Sequence, residues 1–396
     1  MLGQIGLPGA GIGLGYGVEN KVGKNVTEKY FGHLPGIIHS VTDFIPVARI
    51  ADMLISPGEE YSYNTRQYQY PDIKLVYWAG GNPFHHHQDL NRLRFAWQKP
   101  QTIICQELVW NATATHADIV LPVSSFLERN DIGGAPNEDI LVAMKQVLEP
   151  FGDSRSDYAI LSALAEKLNV SNIFTEGRSE MEWVELLYAS TRKANPSLPE
   201  FDAFWEAGVH HFDSASEHTL FEAFRQDPTC NSLKTASGLI QISVPEIGHP
   251  TWHEPSEWLG SPGEHAFHLI SHQPAARLHS QLDHGETSQL SKIDGLEPIR
   301  MNTNDAASLN LKTGDKVRVF NQRGAFYAGL LCTDAIRPGV LHIATGAWWD
   351  PDEHGACRKG NPNAVTQDIG TSELAQGPSA LTCLVSIESI ESIEKG

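Results

Sequence analysis

The sequence has few cysteines, and none of them stand in pairs. Its five cysteines are scattered along 396 residues without a C-x-x-C motif or a regular spacing. A disulfide framework, a structural zinc site and an iron–sulfur cluster all need closely or regularly spaced cysteines. The sequence therefore argues against all three in this chain.

Basic residues are also scarce. Lys and Arg number 29 against 48 Asp and Glu, which gives a formal net charge of −19, and no long basic cluster interrupts this balance. Nucleic acids and anionic membrane surfaces attract proteins through clustered positive charge. We therefore expect neither of them as the main partner.

Long apolar runs are missing as well. No stretch approaches the ~20 apolar residues that cross a bilayer, so no membrane span is expected. The N-terminus, MLGQIGLPGAGIGLGYG, has neither the basic start nor the compact apolar segment of a signal peptide. Because the chain opens directly into this Gly-rich stretch, we expect the natural protein to begin upstream of Met1.

The Gly-rich stretch does not form a dinucleotide fingerprint. Glycines alternate from Gly9 to Gly17, but the G-x-G-x-x-G pattern fails at residue 14, which is Leu, and no strand precedes it. Direct contact with a ligand is therefore the weaker interpretation. Packing and turn geometry are the stronger one.

The first part of the chain predicts a parallel sheet. Hydrophobic residues make up 41% of the sequence, enough for one large domain or two ordinary ones. Short apolar runs bounded by Pro or Gly are typical of buried strands, and a run with helical spacing lies between the first two. This alternation indicates crossover connections. The predicted strands are residues 73–78, 102–105 and 118–122, and the predicted helix is residues 88–97.

The later part predicts helices and then a barrel. An aromatic-rich segment with two prolines lacks a clear period, so we interpret it as a linker layer. From Gly238 onward, short strands joined by turns such as NQRG and RPG indicate a closed or nearly closed β-barrel. The domain boundary is expected between Asp227 and His265. The helices are predicted at 156–168 and 180–190, the linker layer at 195–227, and the strands at 239–244, 268–271, 316–320, 325–332 and 340–344.

Three consecutive histidines, His85, His86 and His87, follow the first predicted strand. Neighbouring side chains in a helical turn diverge by roughly 100°, so three in a row do not easily reach one metal ion. The stretch stands where a strand ends and a helix begins, which is where parallel α/β sheets bind ligands. A ligand-binding loop and surface histidines at a helix start both fit this pattern.

These residues form part of a resemblance to the molybdenum S-oxide and N-oxide reductases of the dimethyl sulfoxide reductase superfamily. The ERNDIGG form is most similar to the biotin sulfoxide reductase-like branch, with trimethylamine N-oxide reductase as a near relative. The resemblance covers nearly the whole chain but only the second half of a family enzyme. It rests on WAGGNPFHHHQDLNRL, TATHADIVLP, LERNDIGG, HQPAARLHSQLD, LKTGDKVRVFNQRG and GNPNAVTQDIGTSELAQGPSA, in that order.

The resemblance implies a fold and a cofactor. The fold is an α/β parallel sheet, part of a nucleotide-binding domain, followed by a C-terminal β-barrel of the double-psi type. Residues 1–235 would form the partial α/β domain with its linker layer, and residues 236–396 the molybdopterin dinucleotide-binding barrel. The implied cofactor is molybdenum bis(molybdopterin guanine dinucleotide), Mo-bisMGD. The missing half would hold the serine that ligates molybdenum, so no catalytic residue and no metal ligand is assigned here.

The resemblance also implies contacts to this cofactor. A guanidinium group and neutral hydrogen-bond donors suit a pterin ring and a pyrophosphate. The expected contacts are Gly81, Asn82, His86, Asp118, His272, Gln273, Arg277, His279, Ser280, Asn363, Gln376 and Gly377.

Several of these positions keep a structural alternative. Asp118 accepts hydrogen bonds either from a guanine or ribose or from backbone N–H groups at a strand end. The loop around Arg277 is either a cofactor loop or a loop stabilised by that arginine. For 128–131 we favour an ion-pair network followed by a turn at 133–134. For 348–349, two tryptophans, we favour packing.

The expected function is reduction of S-oxides or N-oxides, of the biotin sulfoxide, dimethyl sulfoxide and trimethylamine N-oxide class, by a longer enzyme. This chain would supply cofactor-binding surface and be inactive alone. The alternative is a non-catalytic nucleotide- or pterin-binding module; a metal hydrolase lacks its H-E-x-x-H motif. The expected partners are the oxide substrate, an electron donor of unknown identity and the missing N-terminal half. Family enzymes are periplasmic or cytoplasmic, and any export signal would lie upstream of Met1.

Overall fold

The computed structural model describes residues 3–8, 23–26, 31–36, 41–134, 139–212, 214–242, 251–260, 263, 265–379 and 381–390. The chain divides into two compact units. The helical unit comprises Met1–His39 and Pro122–Trp252, and the barrel unit comprises Ser40–Leu121 and His253–Gly396. The predicted domain boundary stays a prediction, and the Gly-rich run of residues 9–17 lies outside the described residues.

Strands and short helices alternate along the chain. The strands are β1 (Gly23–Val26), β2 (Glu60–Tyr63), β3 (Arg66–Gln69), β4 (Leu75–Ala79), β5 (Thr102–Glu107), β6 (Ile119–Pro122), β7 (Asp131–Gly134), β8 (Ile140–Met144), β9 (Val209–His211), β10 (Ser214–His218), β11 (Phe267–His272), β12 (Pro298–Met301), β13 (Lys316–Asn321), β14 (Gly324–Cys332), β15 (Val340–Ala344) and β16 (Leu384–Ser389). The α-helices are α1 (Ile50–Ile55), α2 (Pro83–His86), α3 (Leu90–Ala96), α4 (Asp157–Lys167), α5 (Ser171–Thr175), α6 (Glu180–Ala194), α7 (Phe201–Ala207), α8 (Glu222–Gln226), α9 (Glu286–Leu290) and α10 (Thr303–Ser308).

The barrel unit contains a closed six-stranded barrel in the order β11-β15-β12-β14-β13-β16. Strands β11 and β15 pair in parallel, as do β12 and β14, and the remaining pairs are antiparallel. Side chains alternate across the wall, as strand geometry requires. On β15, Leu341 and Ile343 are fully buried, while His342 between them is only partly covered. The alternating apolar residues therefore fill the barrel.

Most of the predicted barrel strands are confirmed. Strands β11, β13, β14 and β15 coincide with the four later predicted runs, and the NQRG sequence forms the tight turn in which Asn321 pairs with Gly324. Strands β12 and β16 were not predicted. The strand predicted at 239–244 is wrong in its described part: residues 239–242 pair with no strand, and Leu239 and Ile242 are 52% and 66% exposed. An apolar run becomes a strand only when a neighbouring strand binds its backbone.

A three-stranded sheet, β4-β5-β6, precedes the barrel in sequence. β4 and β5 are parallel and are joined through α2 and α3, which confirms the predicted crossover. The prediction that all three strands are buried is wrong for the two outer ones. Ile103 of β5 is 3% exposed, but Leu75 of β4 is 53% exposed and Ile119 of β6 is 46% exposed. Apolar content alone does not distinguish a central strand from an edge strand.

The helical unit packs helices against the sheet β7-β8-β9. Its core consists of Leu141, Ala143, Tyr188, Leu198, Phe204 and Phe212. The predicted helices are confirmed as α4 and α6. Each begins at a serine whose hydroxyl accepts a backbone N–H, and at α6 the carboxylate of the third helical residue completes a capping box.

The linker layer predicted at 195–227 is wrong. This segment contains α7, β9, β10 and α8, and Phe204 of α7 is fully buried against Tyr188. Gly208, at a φ of 81°, ends α7. Each of these elements is too short to show a hydrophobic period. The two prolines before α7 are also typical of a loop, so the sequence pattern did not predict these helices and strands.

The turn predicted at Gly133 and Gly134 is also wrong, because both residues lie in β7. A Cβ atom on Gly134 would lie 2.9 Å from the ring of Phe31, and one on Gly133 would lie 2.8 Å from Met144 Sδ. The glycines therefore serve close packing of the strand. Of the ion-pair network predicted at 128–131, one pair is confirmed, between Arg129 and Asp131, the first residue of β7. Glu128 instead accepts the backbone N–H groups of two loops.

Among the described residues, no helix combines the length and the apolar character that crossing a membrane requires.

Candidate functional site

The loop that follows β4 brings polar side chains into the interior of the barrel unit. We call residues 80–89 the α2 loop. Gly80 and Gly81 have positive φ values of 74° and 77°, which turn the chain sharply after the strand. Pro83 then begins the short helix α2. Asn82, His85 and His87 are buried, while His86 is exposed. The sequence thus located the loop correctly but selected the least buried of its three histidines.

The three histidine rings diverge. The rings of His85 and His86 are 6.1 Å apart and inclined by 84°, and those of His86 and His87 are 5.1 Å apart. In the part of the chain that the structure describes, no three His, Cys, Asp or Glu side chains are grouped so as to hold a metal ion. The loop is therefore suited to hydrogen bonding rather than to metal ligation.

Burial keeps two of these histidines neutral. It lowers the pKa of His85 to about 4, helped by the nearby His86, His279 and Arg277. Burial likewise lowers the pKa of His87 to about 3, helped by His86 and Arg49. A neutral imidazole has one donor nitrogen and one acceptor nitrogen. At neutral pH both rings can therefore give one hydrogen bond and accept one.

Several polar atoms of the α2 loop are buried without a hydrogen-bond partner among the described residues. An unpartnered buried polar atom costs about 1–3 kcal/mol, so a run of them on one loop requires a compensating partner. A ligand rich in amide, amine and oxygen groups would supply it. The atoms are Asn82 Nδ2, His85 Nδ1, His87 Nε2 and Gln88 Oε1.

Side chains from elsewhere in the barrel unit hold the α2 loop in place. Asn361 Nδ2 donates to the carbonyl oxygens of Phe84 (3.2 Å) and Ala347 (2.9 Å). Asn363 Nδ2 donates to the carbonyl of His85 at 2.7 Å. These two asparagines lie in GNPNAV, where the first accepts the backbone N–H of the second. Of the two, only Asn363 is among the contacts predicted from the sequence; the Asn-Pro turn is the signal that marks Asn361.

Aromatic stacking also holds the α2 loop in place. The ring of Phe84 stacks on His116 at 4.4 Å and on Trp349 at 5.4 Å. Trp349 is 3% exposed, so it packs, as predicted. Thr113 Oγ1 donates to Asn82 Oδ1 at 2.9 Å, whereas the Nδ2 of that amide has no partner among the described residues.

In the loop after β11, His279 lies near the α2 loop. The ring of His279 lies 6.2 Å from that of His85, and its φ of 51° is in the left-handed region. Ser280 accepts a hydrogen bond from Trp348 Nε1 on its carbonyl oxygen at 2.8 Å. Arg277 uses both terminal nitrogens within the protein, on Ser288, Glu297 and Thr345. The structure thus favours a stabilising role for this arginine, and its contact with a cofactor stays a prediction.

The remaining predicted cofactor contacts lie outside the α2 loop and outside residues 277–280. Asp118 is exposed and its Oδ2 accepts the backbone N–H of Ile103 at 2.8 Å, as the structural alternative requires. His272 stacks on His342 at 3.9 Å, and Gln273 is exposed. Gln376 donates to the carbonyl of Ser62 in the β2–β3 hairpin, and Gly377 accepts the backbone N–H of Thr371. Their roles as contacts stay predictions.

Two family models match the chain. Residues 1–167 match Molybdopterin oxidoreductase, and residues 267–384 match Molydopterin dinucleotide binding domain. The chain therefore carries both domains, and the resemblance seen in the sequence is confirmed.

Three relatives show high similarity. The chain is 45% identical to biotin sulfoxide reductase of Cereibacter sphaeroides, over 98% of this chain and 54% of that protein. It is 42% identical to dimethyl sulfoxide/trimethylamine N-oxide reductase of the same organism and 40% identical to trimethylamine-N-oxide reductase of Haemophilus influenzae, each over 98% of this chain and 51% of the relative. The chain thus spans about half the length of these relatives.

A solved structure supports the fold alone. Acetylene hydratase from Pelobacter acetylenicus superimposes with a TM-score of 0.63 at 17% sequence identity, covering 80% of this chain and 44% of that chain.

Proposed function

We propose that this chain, a molybdopterin oxidoreductase by the two domains that it carries, supplies cofactor-binding surface to an enzyme that reduces S-oxides or N-oxides. The observation that carries the proposal is the row of buried, unpartnered polar atoms on the α2 loop. These atoms belong to a segment of the chain that matches the molybdopterin oxidoreductase model. The names of the relatives supply the substrate class: biotin sulfoxide, dimethyl sulfoxide and trimethylamine N-oxide.

In this proposal the cofactor is Mo-bisMGD and the barrel is of the double-psi type. The donors and acceptors fit a pterin dinucleotide, whose fused ring and guanine offer amides, amines and ring nitrogens. Asn82, His85, His87 and Gln88 would hold it from the α2 loop, and His279 from the loop after β11. The parallel pairs β11–β15 and β12–β14 support the barrel type.

The bound cofactor would supply oxygen-atom transfer, in which an S-oxide or N-oxide, two electrons and two protons give a sulfide or amine and water. The chain's own residues would bind and orient it. Because His85 and His87 stay neutral, they add no charge to the site and can both donate and accept hydrogen bonds. The buried rings of Phe84 and Trp349 exclude water from one side of the loop.

The proposal includes a second half of the enzyme. The relatives are about twice as long as this chain, and the additional half would contribute the molybdenum ligand and the rest of the cofactor site. An electron donor would deliver the two electrons. The 396-residue chain alone would then bind the cofactor poorly and reduce no substrate.

The test is to measure molybdenum and acid-released GMP in two purified proteins, the 396-residue chain and the full-length polypeptide of its gene. We expect both in stoichiometric amounts in the full-length enzyme, together with reduction of biotin sulfoxide, dimethyl sulfoxide or trimethylamine N-oxide by a chemical electron donor. The isolated chain should retain neither. GMP without molybdenum in the full-length protein would instead favour a non-catalytic binding module, and zinc alone would contradict the proposal.

A further inference from the structure

Four charged side chains form a buried cluster beside the loop after β11. Arg277, Asp283, Lys292 and Glu297 have side chains between 1% and 4% exposed. Lys292 Nζ lies 2.7 Å from Asp283 Oδ1 and 3.8 Å from Glu297 Oε2. Arg277 lies 3.1 Å from Glu297 and 3.5 Å from Asp283. The charges of two cations and two anions therefore cancel in the interior of the barrel unit.

The cluster forms hydrogen bonds with the backbone of two loops. Arg277 donates to the carbonyl of Thr345 at 2.7 Å, and Asp283 Oδ2 accepts the backbone N–H of Trp348 at 3.0 Å. Trp348 in turn donates from its ring to the carbonyl of Ser280 at 2.8 Å. The loop after β11 and the loop after β15 are thus joined by charged groups at both ends of residues 277–283.

The joined loop has a strained conformation. His279 and Leu282 have φ values of 51° and 53°, in the left-handed region that residues other than glycine rarely occupy. Such conformations persist only where the surroundings hold them, and they concentrate at binding sites. Gly346 lies in the loop after β15. A Cβ atom on it would lie 1.9 Å from the carbonyl oxygen of His279, so this loop packs closely against the backbone of the loop after β11.

Stability alone does not account for four buried charges. An apolar cluster of similar volume is often as stable as a buried ion pair or more so, whereas removing one partner is strongly destabilising. Directed, charge-assisted hydrogen bonds fix a geometry that apolar contacts do not. The charges therefore serve the position of the loop.

We propose that Lys292, with Glu297, is a positioning residue that fixes the loop 277–283 so that His279 and Ser280 face the cofactor beside the α2 loop. The inference rests on the proposed function for the identity of the ligand. Neither residue lies in a segment that carries the family resemblance. Lys292 reaches no ligand itself in this assignment; it acts through Asp283, and Glu297 acts through Arg277.

The test measures backbone amide exchange in the 396-residue chain, in peptides that cover 277–285 and 345–349. Lys292→Met should speed exchange of both peptides by about tenfold or more, because Asp283 loses the nearer of its two cations and holds the backbone N–H of Trp348 less firmly. Lys292→Arg, which retains the charge, should stay within about twofold of the wild type. Val319→Ala is the matched control: it truncates a fully buried side chain of β13, a barrel strand that pairs with β14 and β16.

Equal acceleration of the two peptides in Lys292→Met and Val319→Ala, or no acceleration in Lys292→Met, would overturn the proposal. If Lys292→Met does not fold, Ser288→Ala replaces it. Ser288 is 1% exposed, accepts from Arg277 at 3.2 Å and donates to Asp283 at 3.1 Å, so its loss loosens the cluster without removing a charge.

The same variants in the full-length enzyme separate this inference from the proposed function. Lys292→Met should retain less than about a fifth of the GMP that the wild type retains, and Lys292→Arg most of it. Wild-type enzyme without GMP would refute the proposed function while the exchange result still decides whether Lys292 positions the loop. Full GMP retention in Lys292→Met would overturn the inference and leave the proposed function intact.

Discussion

At the scale of single residues, burial determines what the α2 loop can bind. Asn82, His85 and His87 are almost fully covered, and each has a ring or amide nitrogen without a partner among the described residues. In an isolated chain such atoms cost stability, since water no longer satisfies them. Several unpartnered buried nitrogens on one loop therefore point to a ligand that forms hydrogen bonds with them.

The first prediction concerns His87→Phe. In the 396-residue chain without cofactor, this change should raise the free energy of unfolding by about 1 kcal/mol, because it removes an unpartnered buried nitrogen and keeps the ring. In the full-length enzyme it should lower GMP retention. Urea unfolding and GMP release measure the two effects.

The control for that prediction is His116→Phe. His116 Nδ1 is hydrogen-bonded to the carbonyl of Ala112 at 2.7 Å, so its loss should lower the free energy of unfolding by about 1 kcal/mol. If both variants destabilise the free chain alike, the unpartnered nitrogen of His87 carries no special cost and does not indicate a ligand.

The sequence predicted residue types better than it predicted their partners. It selected Arg277 as a ligand contact because a guanidinium suits a pyrophosphate, but the partners of its terminal nitrogens come from residues 11, 20 and 68 positions away in sequence. Asn361 also has a distant partner: one of its two acceptors is a carbonyl 277 positions away in sequence. Such long-range partners leave no local pattern.

At the scale of elements, the α2 loop should make stability depend on pH. The pKa of His85 is about 4 and that of His87 about 3, both lowered from 6.5 mainly by burial. Below pH 6.5 the unfolded chain therefore binds protons that the folded loop does not. The free energy of unfolding should fall by about 2 kcal/mol for each histidine between pH 7 and pH 5.

Urea unfolding at these two pH values measures this loss. The double variant His85→Phe/His87→Phe should lose about 4 kcal/mol less than the wild type over the same interval, since the two groups no longer titrate. An identical loss in the wild type and in the double variant would show that other groups cause the pH dependence.

A second prediction at this scale compares two glycines with the same φ of 94°, Gly346 and Gly314. A Cβ on Gly314 meets nothing within 4 Å, whereas one on Gly346 meets the carbonyl oxygen of His279 at 1.9 Å. Gly314→Ala should therefore cost only about 1–3 kcal/mol for the backbone conformation. Gly346→Ala should cost clearly more in thermal or urea unfolding, and equal costs would contradict the close contact of the two loops.

Element prediction succeeded where the chain gives a local signal. The crossover from β4 to β5 and the β13–β14 hairpin follow from bounded apolar runs and the NQRG turn. The prediction failed for 195–227 and for 239–242, because short elements show no period and because strand formation requires a partner strand. The glycines of β7 were taken for a turn, although contacts with Phe31 and Met144 explain them.

At the scale of the whole molecule, a net charge of −19 accompanies a site without excess charge. His85 and His87 of the α2 loop are neutral, and the cluster around Lys292 balances two cations against two anions. Neutral donors and acceptors suit the rings of a pterin and a guanine better than a phosphate alone. The chain spans about half the length of its relatives, and the proposed function assigns the remaining contacts to a second half of the enzyme.

The most direct measurement is the crystal structure of the full-length enzyme with its cofactor. We expect polar atoms of a pterin or guanine within hydrogen-bond distance, about 2.7–3.2 Å, of Asn82 Nδ2, His85 Nδ1 and His87 Nε2. If these three nitrogens instead meet only side chains of the other half, or water, the α2 loop is a structural interface and its assignment as a cofactor-binding loop is wrong.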